Sequence, residues 1–165
     1  MGSGKSVIGR NLSKAISYTF YDLDNFITTK EGLTINEIFE QKKEIYFRKI
    51  EREYLKELIN KDEEKVISLG GGTPCYDNNM EIILNTVDSD SIYIHRSISF
   101  LVDRLYNKIY SRPLIAHLKS KEELKEFISK HLFERNQYYL RSKKILKTDN
   151  SELDQVIQEL IGVLG

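Results

Sequence analysis

The chain has 165 residues, enough for one domain with its own core. It carries 25 Lys and Arg against 25 Asp and Glu, so its balance gives no electrostatic reason to expect nucleic acid or a membrane as partner. No apolar run approaches the roughly 20 residues of a membrane span, no secretory leader is visible, and the single Cys75 cannot form an internal disulfide, which fits a cytoplasmic setting.

Residues 2–6 read Gly2, Ser3, Gly4, Lys5, Ser6, the back half of the phosphate-loop pattern G-x-x-x-x-G-K-[ST]. The first glycine of that pattern would precede Met1, as would the strand such a loop follows. A parallel sheet lacking a central strand leaves backbone groups unpaired. The expectation is therefore a natural start upstream of Met1, or a start assigned too late. The alternative is a chain that closes the gap or pairs with another chain.

From Lys5 to Ile16 the spacing is helical, with Val7, Ile8, Leu12, Ala15 and Ile16 apolar. A short strand over Thr19 to Tyr21 ends at Asp22, Leu23 and Asp24. Thr34 and Glu37 form a capping box that opens a short helix through Phe39. Lys43 to Ile59 is a longer amphipathic helix. Val66 to Leu69 is a buried strand that runs into Gly70, Gly71 and Gly72. Asn78 to Val87 reads as a helix, Ser91 to Ile94 as a strand and Ser97 to Leu105 as a helix. Tyr106 to Leu118 lacks periodicity and contains Arg112 and Pro113, so it reads as a loop. Ser120 and Glu123 cap a helix to about Tyr139. Lys144 to Lys147 is a strand, and Ser151 to Leu164 a final helix. Strands alternating with helices predict a parallel α/β sheet with functional groups at the strands' carboxyl ends.

Several of these positions carry chemistry, each beside a plainer reading. Lys5 suits phosphate oxygens and Ser6 a magnesium ion; a glycine-rich loop ahead of a helix needs no ligand. Asp22 and Asp24 stand where a strand ends, one to face a metal and the other to accept or orient a hydroxyl proton; Asp24 could equally cap the next helix. Arg48 and Glu51 lie at i and i+3, either as a surface ion pair or as a fork for an acidic substrate. Three glycines directly after a β-branched strand let backbone amides approach a ligand, where a flexible turn is the plain alternative. Arg112 fits a mobile lid or a solvated loop. Arg135 fits bidentate capture of a carboxylate or a helix C-terminus.

The order and spacing of these pieces resemble the shikimate kinase family. They are GSGKS at 2–6, DLD at 22–24, FRKIE at 47–51, SLGGG at 68–72, SRPLI at 111–115 and ERNQYY at 134–139. The resemblance spans nearly the whole chain. It implies a three-layer α/β/α sandwich on a parallel sheet, the P-loop fold of nucleoside monophosphate kinase-like enzymes. It implies one domain over 1–165, with a lid at about 106–120 and a substrate-binding helical region at about 24–60. The implied activity is transfer of the γ-phosphoryl of ATP to the 3-hydroxyl of shikimate, with Mg²⁺, in the formation of aromatic amino acid precursors.

By the same resemblance, Gly2, Ser3, Gly4, Lys5, Ser6 and Val7 hold ATP, with Arg112 from the lid and Arg104 near adenine. Ser6 and, through water, Asp22 are the metal side. Asp24 holds the shikimate hydroxyls and serves as catalytic group with Lys5. Arg48 and Arg135 grip the substrate carboxylate, and Gly71 and Gly72 donate from the backbone. The stretch Asp149 to Glu152 passes adenine. The family's glycine ahead of Glu44 is replaced here by Lys43, read as a helix start with little functional effect. His95, His117 and His131 match no family role. The resemblance also implies a cytoplasmic monomer. Gluconate kinase, which shares the loop and the size, is the enzymatic alternative, and a non-catalytic nucleotide-binding module the other.

Overall fold

A computed structural model describes residues 2–107, 114–149 and 151–164. Four short parallel strands and seven helices alternate along the described residues: α1 (Lys5–Ala15), β1 (Thr19–Asp22), α2 (Leu23–Glu31), α3 (Ile35–Ile59), β2 (Lys65–Ser68), α4 (Asn79–Asn85), β3 (Ile92–His95), α5 (Ile98–Tyr106), α6 (Lys121–Tyr139), β4 (Lys144–Lys147) and α7 (Leu153–Leu164). A 3₁₀ turn, Thr73–Cys75, follows the triple glycine.

β1 pairs with β2, from Thr19 opposite Lys65 to Asp22 opposite Ser68. β3 pairs with β4, from Ile92 opposite Lys144 to His95 opposite Lys147. Among the described residues the two pairs are not joined by a strand ladder. They are joined by packing. Ile8 and Leu12 of α1 and Val156, Ile157 and Leu160 of α7 form one buried cluster, and Val66 of β2, Ile92 and Ile94 of β3 and Leu146 of β4 all lie against it.

Successive strand residues point to opposite faces. While Val66 faces α1 and α7, its neighbour Ile67 packs with Tyr21 against a second cluster built from Leu23, Ile27, Ile38, Phe47, Ile50, Leu55 and Leu58. Tyr93, between Ile92 and Ile94, meets Tyr139 of α6 with ring centroids 5.0 Å apart. A third cluster joins α5 and α6 through Leu101, Leu105, Leu124 and Ile128, with Ile115. Helices thus cover both faces of the strand layer, the α/β/α sandwich expected.

The chain departs from the sequence reading at α2 and bears it out at Lys43. Asp22 closes β1 and immediately caps α2, its carboxylate accepting from the backbone N–H of Asp24 and Asn25. Cap and strand end share one residue, which is why α2 escapes a search for periodic runs. The Thr34 capping box is formed as expected, and the α3 span holds two helices that meet at a kink at Lys43, where φ is 70° and ψ 170°. The helix predicted from Lys43 starts at that break.

Candidate active site

Gly4 sits at φ 88°, in the left-handed region, and forms the N-cap of α1; its carbonyl accepts from the N–H of Val7 and Ile8. Such a conformation is cheap only for glycine. It leaves the first amides of α1 directed outward at the positive end of a helix dipole, an anion site by construction. Arg104 of α5 lies over this turn, its Nη2 3.3 Å from where a Gly4 side chain would begin.

In the first turn of α1, the Ser6 hydroxyl donates to Oδ2 of Asp22 at 2.6 Å and lies 3.3 Å from the Ser68 hydroxyl. Asp22 Oδ1 accepts from Asp24 N and Asn25 N. The ends of β1 and β2 and the start of α1 therefore converge on one oxygen-rich point beside the phosphate loop. A hydroxyl and a carboxylate are hard oxygen donors, the set that magnesium takes alongside water and phosphate. The residues present fit that ion.

Beyond this point lies Asp24. Burial pushes its carboxyl above the ordinary 3.8; Lys5 pulls it down, Asp22 pushes it up and Arg48 pulls it down. It is therefore a group within electrostatic reach of both the phosphate-loop lysine and Arg48. Gly70 is what lets it sit there. A Cβ on Gly70 would lie 2.9 Å from Thr73 Oγ1, 3.0 Å from Asp24 Oδ1 and 3.2 Å from Glu51 Oε1.

Glu51, 1% exposed, organises the far side. Its Oε1 accepts from the Thr73 hydroxyl at 2.7 Å and its Oε2 from Arg48 Nη1 at 2.8 Å. The Arg48 guanidinium also donates to Glu44, lies 3.6 Å from the Tyr76 ring centroid and rests against Gly72. Burial opposes its charge, and Glu51, Tyr76 and Glu44 more than offset that, holding it above its ordinary value. A guanidinium held partly exposed by carboxylates and a ring can take an anionic group.

The triple-glycine turn has its own support. Tyr139 donates its hydroxyl to the Gly71 carbonyl. Burial pushes the Tyr139 phenol up to about 12, so it remains a donor at neutral pH. Arg135, one turn earlier on α6, acts electrostatically on Tyr139, Cys75 and Glu44. That places its charge on the same side as Arg48.

The shikimate kinase family model matches residues 1–164. The chain belongs to the shikimate kinase family. The shikimate kinase of Flavobacterium johnsoniae is 46% identical over 165 residues, covering 100% of this chain and 95% of that protein. That of Flavobacterium psychrophilum is 43% identical over 164 residues, covering 99% of this chain and 94% of its own. The crystal structure of shikimate kinase from Bacteroides thetaiotaomicron matches with a TM-score of 0.90 at 31% identity, covering 99% of this chain and 93% of that one. The enzyme from Acinetobacter baumannii, solved in complex with shikimate, matches with a TM-score of 0.85 at 26% identity, covering 99% and 88%. The fold is thus the P-loop kinase fold, and the chain is an ATP-dependent phosphotransferase of this family.

Within that frame the structure brings together Ser6, Asp22, Asp24, Lys5, Arg48 and Gly70 to Gly72, drawn from α1, the end of β1, α2, α3 and the turn after β2. Arg104 reaches the phosphate loop at Gly4. Val7 is exposed and meets the loop through its backbone N–H, which donates to the Gly4 carbonyl. Arg112 lies outside the described residues. The capping role considered for Asp24 belongs to Asp22. Burial pushes the Cys75 thiol up, which disfavours the reactive thiolate. Thr73 and Tyr139 were not singled out from the sequence. Thr73 directly follows the triple glycine and Tyr139 falls four residues after Arg135, so the motif boundaries were the available signal.

Proposed function

We propose that this chain transfers the γ-phosphoryl of ATP to the 3-hydroxyl of shikimate, and that the residues named above do so in the following roles. Gly2 to Val7 wrap the phosphates through their backbone. Lys5 neutralises charge on the β and γ phosphates, and Arg104 closes over Gly4. Mg²⁺, held by Ser6 and through water by Asp22, supplies further neutralisation of the phosphate oxygens when bound. Asp24 hydrogen-bonds the acceptor hydroxyl and takes or orients its proton as the oxygen attacks. Arg48 and Arg135 hold the substrate carboxylate, and the amides of Gly71 and Gly72 hold its ring hydroxyls.

One observation carries this reading. Asp24 lies within electrostatic reach of two positive groups, Lys5 of the phosphate loop and Arg48 of α3. A carboxylate so placed stands where an alcohol held by Arg48 would meet a phosphoryl group held by Lys5. Transfer with little covalent participation by the protein depends on such positioning. The segment at about 106–120, with Arg112, serves as the lid that excludes water. No helix among the described residues is long and apolar enough to cross a membrane, and we place the enzyme in the cytoplasm as a monomer.

Phosphorus NMR of the product formed from MgATP and an equimolar mixture of shikimate and gluconate tests the assignment. A single new phosphate monoester, identical to shikimate 3-phosphate, is expected. Phosphorylated gluconate as the main product would overturn the acceptor, and nucleotide binding without any ester would favour a non-catalytic module.

A further inference from the structure

The Arg48 guanidinium can be followed edge by edge. Nη1 donates to Glu51 Oε2 at 2.8 Å, and that partner is 1% exposed. The end formed by Nη1 and Nη2 abuts Gly72, 3.1 and 3.3 Å from where a side chain would begin there. The Tyr76 ring lies against the guanidinium, its centroid 3.6 Å away. What remains is the edge formed by Nε and Nη2. Both of these donors converge on one oxygen, Oε1 of Glu44, at 3.3 and 3.2 Å.

These two contacts differ in kind from the Glu51 bond. A charge-assisted N–H to carboxylate bond is about 2.7–2.9 Å long, and a carboxylate that matches the guanidinium fork brings two oxygens in parallel. Glu44 brings one oxygen, at longer range, from a side chain 54% exposed. The pair is spaced i, i+4 on a helix surface, where an ion pair adds little stability. Glu51 is thus the fixed partner of Arg48, and Glu44 an exchangeable one. Tyr76 lowers the Glu44 carboxyl most, burial opposes, and Arg48 and Arg135 lower it further. Glu44 therefore lies within reach of both arginines that hold the substrate carboxylate in the reading above.

The backbone gives a displaced Glu44 a place to rest. Glu44 directly follows the kink at Lys43, so it opens the second helix of the α3 span. Unpaired amides and the positive end of the helix dipole lie at such a start, and they favour a carboxylate without help from Arg48.

We propose that Glu44 is a built-in competitor for the substrate carboxylate, which holds the Nε–Nη2 edge of Arg48 until an incoming acid takes that edge over. This rests on the reading in which Arg48 grips the carboxylate of the acceptor. The exchange keeps Arg48 partnered between turnovers and makes acceptor affinity a difference between two carboxylates. Like charges repel, so Glu44 opposes the acid even after it has been displaced. A neutral ligand of the same shape meets neither effect.

The test is calorimetric titration of the full chain and its Glu44→Gln and Glu44→Asp variants with shikimate and with shikimate methyl ester, the ester read by its competition with shikimate. The ester keeps the ring and its hydroxyls and lacks the charge. Glu44→Gln is expected to bind shikimate about five-fold more tightly than wild type, the gain from releasing a half-exposed ion pair. Its affinity for the ester is expected to stay within about two-fold. Glu44→Asp keeps the charge but draws it back by one methylene, and is expected to fall between. Weaker or unchanged shikimate binding in Glu44→Gln overturns the proposal, since Glu44 would then orient Arg48 or leave it indifferent. An equal gain for acid and ester also overturns it, since the effect would not pass through the carboxylate. Arg48→Lys, which keeps a charge for Glu51 but loses the fork, supplies the separate control. Shikimate binding undiminished in Arg48→Lys contradicts the acceptor reading itself, a failure distinct from that of the exchange.

Discussion

The Ser6 hydroxyl donates to Asp22 at 2.6 Å, and that contact ties the first turn of α1 to the end of β1. Asp22 also caps α2, so one carboxylate fixes the phosphate-loop helix, the strand and the helix that carries Asp24. Asp22→Asn keeps the cap geometry but removes the charge that the metal would feel. The Mg²⁺ concentration for half-maximal rate should rise by about ten-fold or more, as for other partners acting on a metal through water. Steady-state rates over a magnesium titration measure this. Ser6→Thr should leave it nearly unchanged, because the loop pattern accepts either hydroxyl.

Asp24→Asn should lower kcat by roughly 10² to 10⁴, with MgADP affinity unchanged within two-fold by calorimetry. The pH profile supplies a second reading. Burial holds this carboxyl above its ordinary value in the folded protein, so the acid limb of the wild-type rate should lie higher than for a solvated aspartate and vanish in Asp24→Asn. The stability effect runs the other way. Between the ordinary value and the raised one, the folded state binds more protons than the unfolded state, so stability falls as pH rises through that window. Above it the protein carries a buried charge that function requires. Asp24→Asn should therefore melt higher than wild type at pH 7 while losing activity.

Glu51 is buried and holds Arg48 and Thr73 at once. Glu51→Ala leaves Arg48 without its buried partner, and a loss of about 3–5 kcal/mol is expected in denaturant melts. Glu51→Gln keeps the shape and should fold, but it gives Arg48 a weaker acceptor. Its KM for shikimate should rise several-fold while KM for ATP stays within two-fold. Equal changes in both would place Glu51 in the general scaffold and not with the acceptor side.

Lys43 adopts φ 70° and ψ 170° in the middle of α3, a region that is essentially glycine's, where a side chain costs about 1–3 kcal/mol. Its Nζ donates to the Glu40 carbonyl at 3.0 Å, in an exposed setting where such a bond returns little. Lys43→Gly should raise the melting temperature and leave kcat and KM within two-fold. A lower melting temperature would mean that the break is relaxed in solution.

The order of elements was legible because each strand runs straight into a motif: β1 into Asp22, β2 into Gly70 and β3 into Ser97, with strand, cap and turn each marked by residue type. The α2 helix was not, because Asp22 serves as both the last strand residue and the cap. The break at Lys43 was legible, because the helix read from Lys43 begins there, at a position where the family carries the glycine that such a conformation favours. Arg48 and Glu51 were visible as a helical pair, and their i, i+3 spacing made a surface ion pair an equal reading. What the sequence could not show is that Thr73, packed beneath Gly70, draws Glu51 inside.

The most direct test is ADP release from MgATP by the 165-residue chain, measured with and without shikimate. Release that depends on shikimate, saturates with it and is abolished in Asp24→Asn is the expected result. ADP release indifferent to shikimate, or full shikimate-dependent activity in Asp24→Asn, would contradict the placement of Asp24 between the phosphate and acceptor sides.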